Sequence, residues 1–288
     1  MNLTSPSQIK KLMESHGIRF NKGFGQNFLV SPEIPMRIAD ECGADQSCGI
    51  IEVGPGIGTL TCELAQVAKK VVSVEIDTGL IPVLNETLSD LDNVKIINQD
   101  ILKTDLKGLI RTEFDGMDIC VCANLPYYIT TPILMFFIES GIEFKSITVM
   151  VQKEVAIRLC SKPKDPDYGA ITAAIARYGN ARKLFNVPAG CFMPAPKVES
   201  AVLQIIPHNE KPYTVKSEEM LTKVIRAAFS QRRKTLVNTL SGSFQKVGKE
   251  QLREIVLSCG FYETVRGEEL GIKEFALLAD RLTELYEA

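Results

Sequence analysis

Residues Asn124-Leu-Pro-Tyr-Tyr128 carry the sharpest chemistry in this chain, and they follow the apolar run Ile119–Val121. An amide, a proline-fixed turn and an aromatic ring at the end of a strand can grip a flat, amino-bearing base. The side-chain oxygen of Asn124 and the backbone carbonyl of Leu125 accept hydrogen bonds from an exocyclic NH2, Pro126 fixes the turn that aims that carbonyl, and Tyr127 offers a stacking face. Accepting both N–H bonds draws a conjugated amino nitrogen towards tetrahedral geometry and turns its lone pair outward. Seventy residues upstream, Gly54-Pro-Gly-Ile-Gly58 offers a backbone bend for a cofactor. Together the two segments point to transfer of a small group to the amino nitrogen of a nucleobase. Such a reaction depends on positioning more than on a strong base, in keeping with the absence of histidine near either segment.

The glycine segment lies after the apolar stretch Ile50–Val53 and before a helical pattern opening at Thr59. Glycines there let the backbone turn tightly and approach a ligand. The first acid closing the next apolar run is Glu75, 21 residues after Gly54. Its carboxylate can accept from both ribose hydroxyls of an adenosine. Asp100, after Val94–Asn98, can accept from an adenine amino group. A glycine turn followed by an acid is shared by nicotinamide dehydrogenases and S-adenosylmethionine enzymes. The dinucleotide pattern G-x-G-x-x-G would place its third glycine at 59, where this chain has Thr59. The observed G-x-G-x-G order suits a ligand without a pyrophosphate, with a nicotinamide oxidoreductase as the competing reading.

The elements that must position these residues alternate along the chain. A helix is expected near Ser5–His16, then a glycine-rich loop over Asn21–Val30, then a helix opened by Ser31-Pro32 and ending before Gly43. Apolar runs at Gly49–Val53, Lys70–Ile76, Val94–Asn98, Asp118–Ala123 and Ser146–Val151 read as buried parallel strands. Helical stretches fall between them at Thr59–Ala68, Gly79–Leu88 and Thr131–Glu139. This alternation predicts an open α/β sheet with helices on both faces. Ser200–Pro207 reads as a last strand, and the polar stretch His208–Val215 as a linker. Beyond it, Glu218–Phe229, Lys234–Leu240, Lys249–Cys259 and Ile272–Tyr286 show helical spacing without strands. The expected division is 1–207 and 208–288, the second part a small all-α domain.

At 288 residues, 45% hydrophobic and 24% charged, the chain has the composition of a soluble globular protein. No run approaches the roughly 18 apolar residues of a membrane span. The first 18 residues have neither a secretory core nor an Arg-rich presequence bias, so a cytoplasmic protein is expected. Eight cysteines without a Cys-x-x-Cys pair, and only His16 and His208, argue against structural zinc, and no metal is expected. Reduced, largely buried thiols fit a reducing compartment.

The net charge of −2 hides an asymmetry: 12 basic and 19 acidic residues in 1–150 give −7, and 21 basic and 16 acidic in 151–288 give +5. Between Glu219 and Glu250 there are no acids, but there are Lys223, Arg226, Arg232, Arg233 and Lys234. A second acid-free stretch, between Asp167 and Glu199, holds Arg177, Arg182, Lys183 and Lys197. One such run reads as a solvated face. Two, beside a base-gripping motif, point to a phosphate backbone.

These residues also carry a resemblance. Gly25-Gln-Asn-Phe-Leu29, Glu52-Val-Gly-Pro-Gly-Ile-Gly-Thr-Leu60, Val74-Glu-Ile-Asp77, Asn98-Gln-Asp100, Asn124-Leu-Pro-Tyr-Tyr128, Gln152-Lys-Glu-Val-Ala156 and Phe192-Met-Pro-Ala-Pro-Lys-Val-Glu-Ser200 occur in the order found in the ribosomal RNA adenine dimethyltransferases. The chain resembles that family, and within it the bacterial small-subunit (16S) branch. Met193 and Ala195 depart mildly from the family pattern.

The resemblance implies a Rossmann-like S-adenosylmethionine-dependent methyltransferase sheet with a small helical C-terminal domain. It implies that Asn27 and Leu29 close over the cofactor, Gly54 lies at its methionine end, Glu75 on its ribose and Asp100 at its adenine. Gly56, Ile76 and Ile101 complete the cofactor-contacting set, and Asn124 touches both cofactor and target. Tyr127 and Phe192 would sandwich the target adenine. The implied substrate is a pair of adjacent adenines in the 3′-terminal hairpin of small-subunit ribosomal RNA within the pre-30S particle, each dimethylated at N6. A monomer is expected, since no interface pattern is evident. Competing readings are a large-subunit methyltransferase of the antibiotic-resistance type, an assembly factor whose binding outweighs catalysis, and a DNA adenine methyltransferase. For Tyr128, simple packing beneath the turn is the bland alternative.

Overall fold

The computed structural model describes residues 1–18 and 26–287. Gly25 of the first motif, and residues 21–25 of the expected loop, lie outside the described residues. Nine strands are present among the rest: β1 (Phe28–Leu29), β2 (Gly49–Val53), β3 (Lys70–Glu75), β4 (Val94–Asn98), β5 (Ile119–Asn124), β6 (Ser146–Gln152), β7 (Gly179–Val187), β8 (Phe192–Met193) and β9 (Ser200–Pro207). Seven form one sheet in the order β4-β3-β2-β5-β6-β9-β7, and β1 pairs with β8 in a separate two-stranded ribbon.

From β4 to β6 neighbouring strands run parallel; β9 is antiparallel to β6. β2 and β5 consist entirely of buried residues apart from the half-buried Asn124. Near-continuous apolar runs of this kind belong to strands covered on both faces. The chain builds outward through β2, β3 and β4, then returns to the other side of β2 to lay down β5. That reversal opens a crevice at the carboxyl ends of β2 and β5, where open α/β sheets bind ligands. Gly54 and Asn124 stand at those two strand ends.

Three strands were not foreseen in the sequence. β7 carries Arg182 and Lys183 on the outer strand of the sheet, where charged side chains reach solvent and blunt the edge. β1 and β8 are two residues each, too short for any periodicity.

The chain divides into two compact units, Met1–Ala156 with Ala181–Pro207, and Ile157–Asn180 with His208–Ala288. A cut at residue 207 alone does not describe this division, because 157–180 packs with the helical unit. Tyr168 accounts for it: its ring is buried in the apolar cluster formed by Leu221, Leu236, Phe244 and Phe275. Its hydroxyl donates to the Leu270 carbonyl at 3.0 Å, and its ring meets Phe229 edge-on at 5.7 Å. The helices of this unit include Glu218–Ala228, Leu236–Ser243, Lys249–Ser258 and Ile272–Glu287. No helix among the described residues is long and apolar enough to cross a membrane.

Candidate active site

A cavity of about 1040 Å³, counting its open mouth, lies in the crevice at the ends of β2 and β5. One wall is the glycine turn. Gly54 has φ +66°, its N–H donates to the Val74 carbonyl at 3.0 Å, and a Cβ built on it meets nothing within 4 Å. Its side faces open space that a ligand can occupy, while the positive φ favours glycine. Gly58 is required for a different reason: with φ +90°, an added Cβ would sit 2.8 Å from Leu88 Cδ2.

Glu75 ends β3 and is held at both oxygens. Oε1 accepts from the Asp77 N–H at 2.8 Å and Oε2 from the Gly56 N–H at 3.3 Å. Burial raises its pKa against those two hydrogen bonds. Each carboxylate oxygen keeps a lone pair for a further donor, such as a sugar hydroxyl. Asp100 follows β4 and caps the short 3-10 turn Ile101–Lys103, its Oδ1 accepting from the Leu102 N–H at 3.0 Å. Beside them Ile76 is 47% exposed, a large apolar side chain on the cavity wall that a flat ring would cover.

Below this wall, Glu52 on β2 is fully buried and also lines the cavity. Its Oε2 accepts from Ser73 Oγ at 2.6 Å and Thr61 Oγ1 at 2.7 Å. Desolvation outweighs those bonds and pushes its pKa up to about 7.

The opposite wall is the turn after β5. Asn124 Nδ2 donates to the Asn27 carbonyl at 3.3 Å. That bond commits the nitrogen end of the amide to the N-terminal strap and leaves the oxygen end to accept from a ligand. The turn itself is closed by the Ile129 N–H and Thr130 Oγ1, both donating to the Pro126 carbonyl at 3.2 Å. Tyr127 is half-buried, and its hydroxyl lies 2.6 Å from Ser200 Oγ. Burial raises its pKa, so the phenol stays protonated.

Asn27, Leu29, Gly54, Gly56, Glu75, Ile76, Asp100, Ile101, Asn124, Leu125, Pro126 and Tyr127 are thus gathered around one cavity. Two aromatic residues are placed as follows. Phe192 does not line the cavity: it is 4% exposed and packs in the apolar cluster with Leu29, Ile34 and Val202. The β1–β8 pairing sets Leu29 opposite Phe192 and fixes it there. Tyr128 does not pack beneath the turn; it is 60% exposed at the cavity wall. Two pairings were not foreseen: Ser200 on Tyr127, and Gln26 Nε2, which donates to Asp77 Oδ2 at 2.7 Å. Neither leaves a trace in local sequence spacing.

In the helical unit the basic residues divide into two groups. Arg232 is committed within the fold: it pairs with Glu268 at 3.2 Å and donates to the carbonyls of Pro166 and Tyr168. It is therefore a strap between segments, with its side chain still 54% exposed. Arg177 is likewise paired with Glu218 at 2.8 Å. Lys223, Arg226, Arg233 and Lys234 are exposed, with Lys223 Nζ 4.5 Å from the Phe244 ring centroid.

The parallel sheet with its reversal at β2/β5, the glycine turn, the two strand-end acids and the amide turn define a Rossmann-like methyltransferase. A solved dimethyladenosine transferase from Plasmodium falciparum superposes with a TM-score of 0.73 at 26% identity, covering 90% of this chain and 97% of that one. The 23S rRNA methyltransferase ErmE shares the fold, with a TM-score of 0.68 at 24% identity over 89% of this chain and all of that one. In sequence, the ribosomal RNA small subunit methyltransferase A of Alkaliphilus metalliredigens is 44% identical over 276 residues, 96% of each chain. The sequence model of the ribosomal RNA adenine dimethylase family matches residues 17–270. The chain belongs to that family.

The cavity fits the methyl donor that such a fold uses. Carboxylates stand where hydroxyl and amino groups need acceptors, the exposed Ile76 offers a face for a purine, and Gly54 leaves room for close approach.

Proposed function

We propose that this protein transfers methyl groups from S-adenosylmethionine to the N6 amino groups of two adjacent adenines in the 3′-terminal hairpin of small-subunit ribosomal RNA, within the pre-30S particle in the cytoplasm. The observation that carries the reading is the Asn124 amide, held by the Asn27 carbonyl at the end of β5 and facing the same cavity as Gly54 and Glu75. S-adenosylmethionine, when bound, supplies an electrophilic methyl group with a good leaving group.

Everything else is the work of this chain's residues. Glu75 and Asp100 hold the nucleoside part of the donor, and Asn27 and Leu29 cover it. Asn124 Oδ1 and the Leu125 carbonyl accept the two amino protons of the target adenine. Those two hydrogen bonds turn the nitrogen lone pair towards the donor. Tyr127 stacks on the extruded base, contributing about 1–3 kcal/mol. This offsets the cost of unstacking, roughly a few kcal/mol and least in a hairpin loop. Lys223, Arg226, Arg233 and Lys234 bind phosphates and so fix register.

The test is transfer of labelled methyl groups to undermethylated small subunits, large subunits and DNA, followed by mapping of the modified base. Label confined to two adjacent adenines of small-subunit RNA is the expected result. Label on large subunits or DNA alone refutes the substrate, and no transfer at all refutes the reaction.

A further inference from the structure

Ser200 belongs to a motif the reaction leaves without a task, and its geometry supplies one. It is fully buried at the first position of β9. Its backbone is fixed opposite Gln152 by the β6–β9 pairing. The same corner is closed by the Lys153 N–H donating to the Glu199 carbonyl at 2.9 Å and by the Lys153–Glu199 ion pair at 2.6 Å. From this rigid seat its hydroxyl reaches the Tyr127 hydroxyl at 2.6 Å.

Stacking on a base needs only a π face, and phenylalanine would supply one equally well. The hydroxyl of residue 127 therefore has another role. A tyrosine side chain has two torsions. Here the Cα is fixed by the turn around Pro126, and the far end of the ring by Ser200. With both ends held, the long axis of the side chain, and so the place of the ring, is set before any base arrives.

We propose that Ser200 is a positioning residue for methyl transfer: through its hydrogen bond it holds the Tyr127 ring in the place where it receives the extruded adenine. This rests on the function proposed above. Pre-setting the ring removes an ordering cost from base capture. The bond is between two neutral hydroxyls, whose net worth corresponds to about a two- to ten-fold change.

The experiment compares wild type, S200A, Y127F and the double variant. One readout is methyl transfer to small-subunit RNA. The other, without any methyl donor, is quenching of a 2-aminopurine placed at the target position of the hairpin. The expected result is a fall in kcat of about three- to ten-fold in each single variant, with weaker quenching and unchanged overall RNA affinity. The double variant should be no worse than either single one, because both remove the same bond. Y127F leaves Ser200 untouched, so it tests the bond even if S200A loses its fold. S200A and Y127F at wild-type rate and quenching, or losses that multiply in the double variant, overturn the inference. If wild type itself fails to methylate this RNA, the functional reading has failed instead.

Discussion

Glu52 gives the most quantitative handle on this structure. Its carboxyl is fully buried and titrates near 7, against an ordinary value of 4.5, because burial penalises the charged form. In the unfolded chain it ionises near 4.5. Below that pH both states hold the proton, and the residue contributes no pH dependence. Between 4.5 and about 7 the unfolded chain releases a proton that the folded chain keeps, so stability falls as pH rises. Above about 7 the penalty is complete. The separation of the two values corresponds to roughly 3 kcal/mol at ~1.4 kcal/mol per pH unit. Glu52→Gln keeps an oxygen to accept from Ser73 and Thr61 but carries no ionisable proton. Without cofactor, the variant should match wild type at about pH 4.5 and be more stable at about pH 8, by on the order of 5–10 °C in Tm for a chain of this size. Melting curves from about pH 4.5 to about pH 8.5 would measure the gap. A pH-independent difference between the two proteins would show that Glu52 does not keep its proton in the folded state, and the reasoning would fail.

Asn124→Ala should lower methyl transfer by about 100-fold or more, as expected for a group that acts on the reacting nitrogen, with RNA affinity nearly intact; a rate within a few-fold of wild type would refute its role. Tyr127→Ala should weaken capture of the target base by about 1–3 kcal/mol, read as a fall in 2-aminopurine quenching. Glu75→Ala should weaken S-adenosylmethionine binding by about ten-fold or more in calorimetry, in line with removal of hydrogen bonds to a charged acceptor; unchanged binding would exclude a ribose hydrogen bond. Replacing Arg233 and Lys234 with alanine should reduce the slope of log affinity against log salt by about 0.7 for each phosphate that is no longer neutralised. Arg232→Ala should instead chiefly destabilise the helical unit, within which it holds Glu268 and Pro166.

The two strands that flank the crevice, β2 and β5, were legible because each is a largely apolar run buried on both faces. The candidate cofactor residues were legible for the same reason: strand ends fix where Gly54, Glu75, Asp100 and Asn124 must emerge. What stayed hidden depends on long-range partners. β7 has charges facing water and reads locally as a basic loop. Residues 157–180 join the helical unit through Tyr168, whose partner Leu270 is 102 positions away. Phe192 has by its type alone the character of a core residue, and its pairing with Leu29 places it in the core. Ser200 shows nothing in its own neighbourhood of the bond it makes 73 positions upstream. The partner on Asn27 is a backbone carbonyl, to which no side-chain pattern points.

That carbonyl joins the two halves of the reaction. The strap bearing Asn27 and Leu29 lines the cavity, and its β1 residues are held in register by β8. The same strap accepts from Asn124 Nδ2, which fixes which end of the amide addresses the base. An unheld amide presents nitrogen or oxygen alike, and with nitrogen forward it would set donor against donor at the adenine amino group. Gln26 anchors the strap to Asp77, two residues beyond Glu75. On the function proposed above, the segment that would cover the donor is also the one that orients the acceptor for the target.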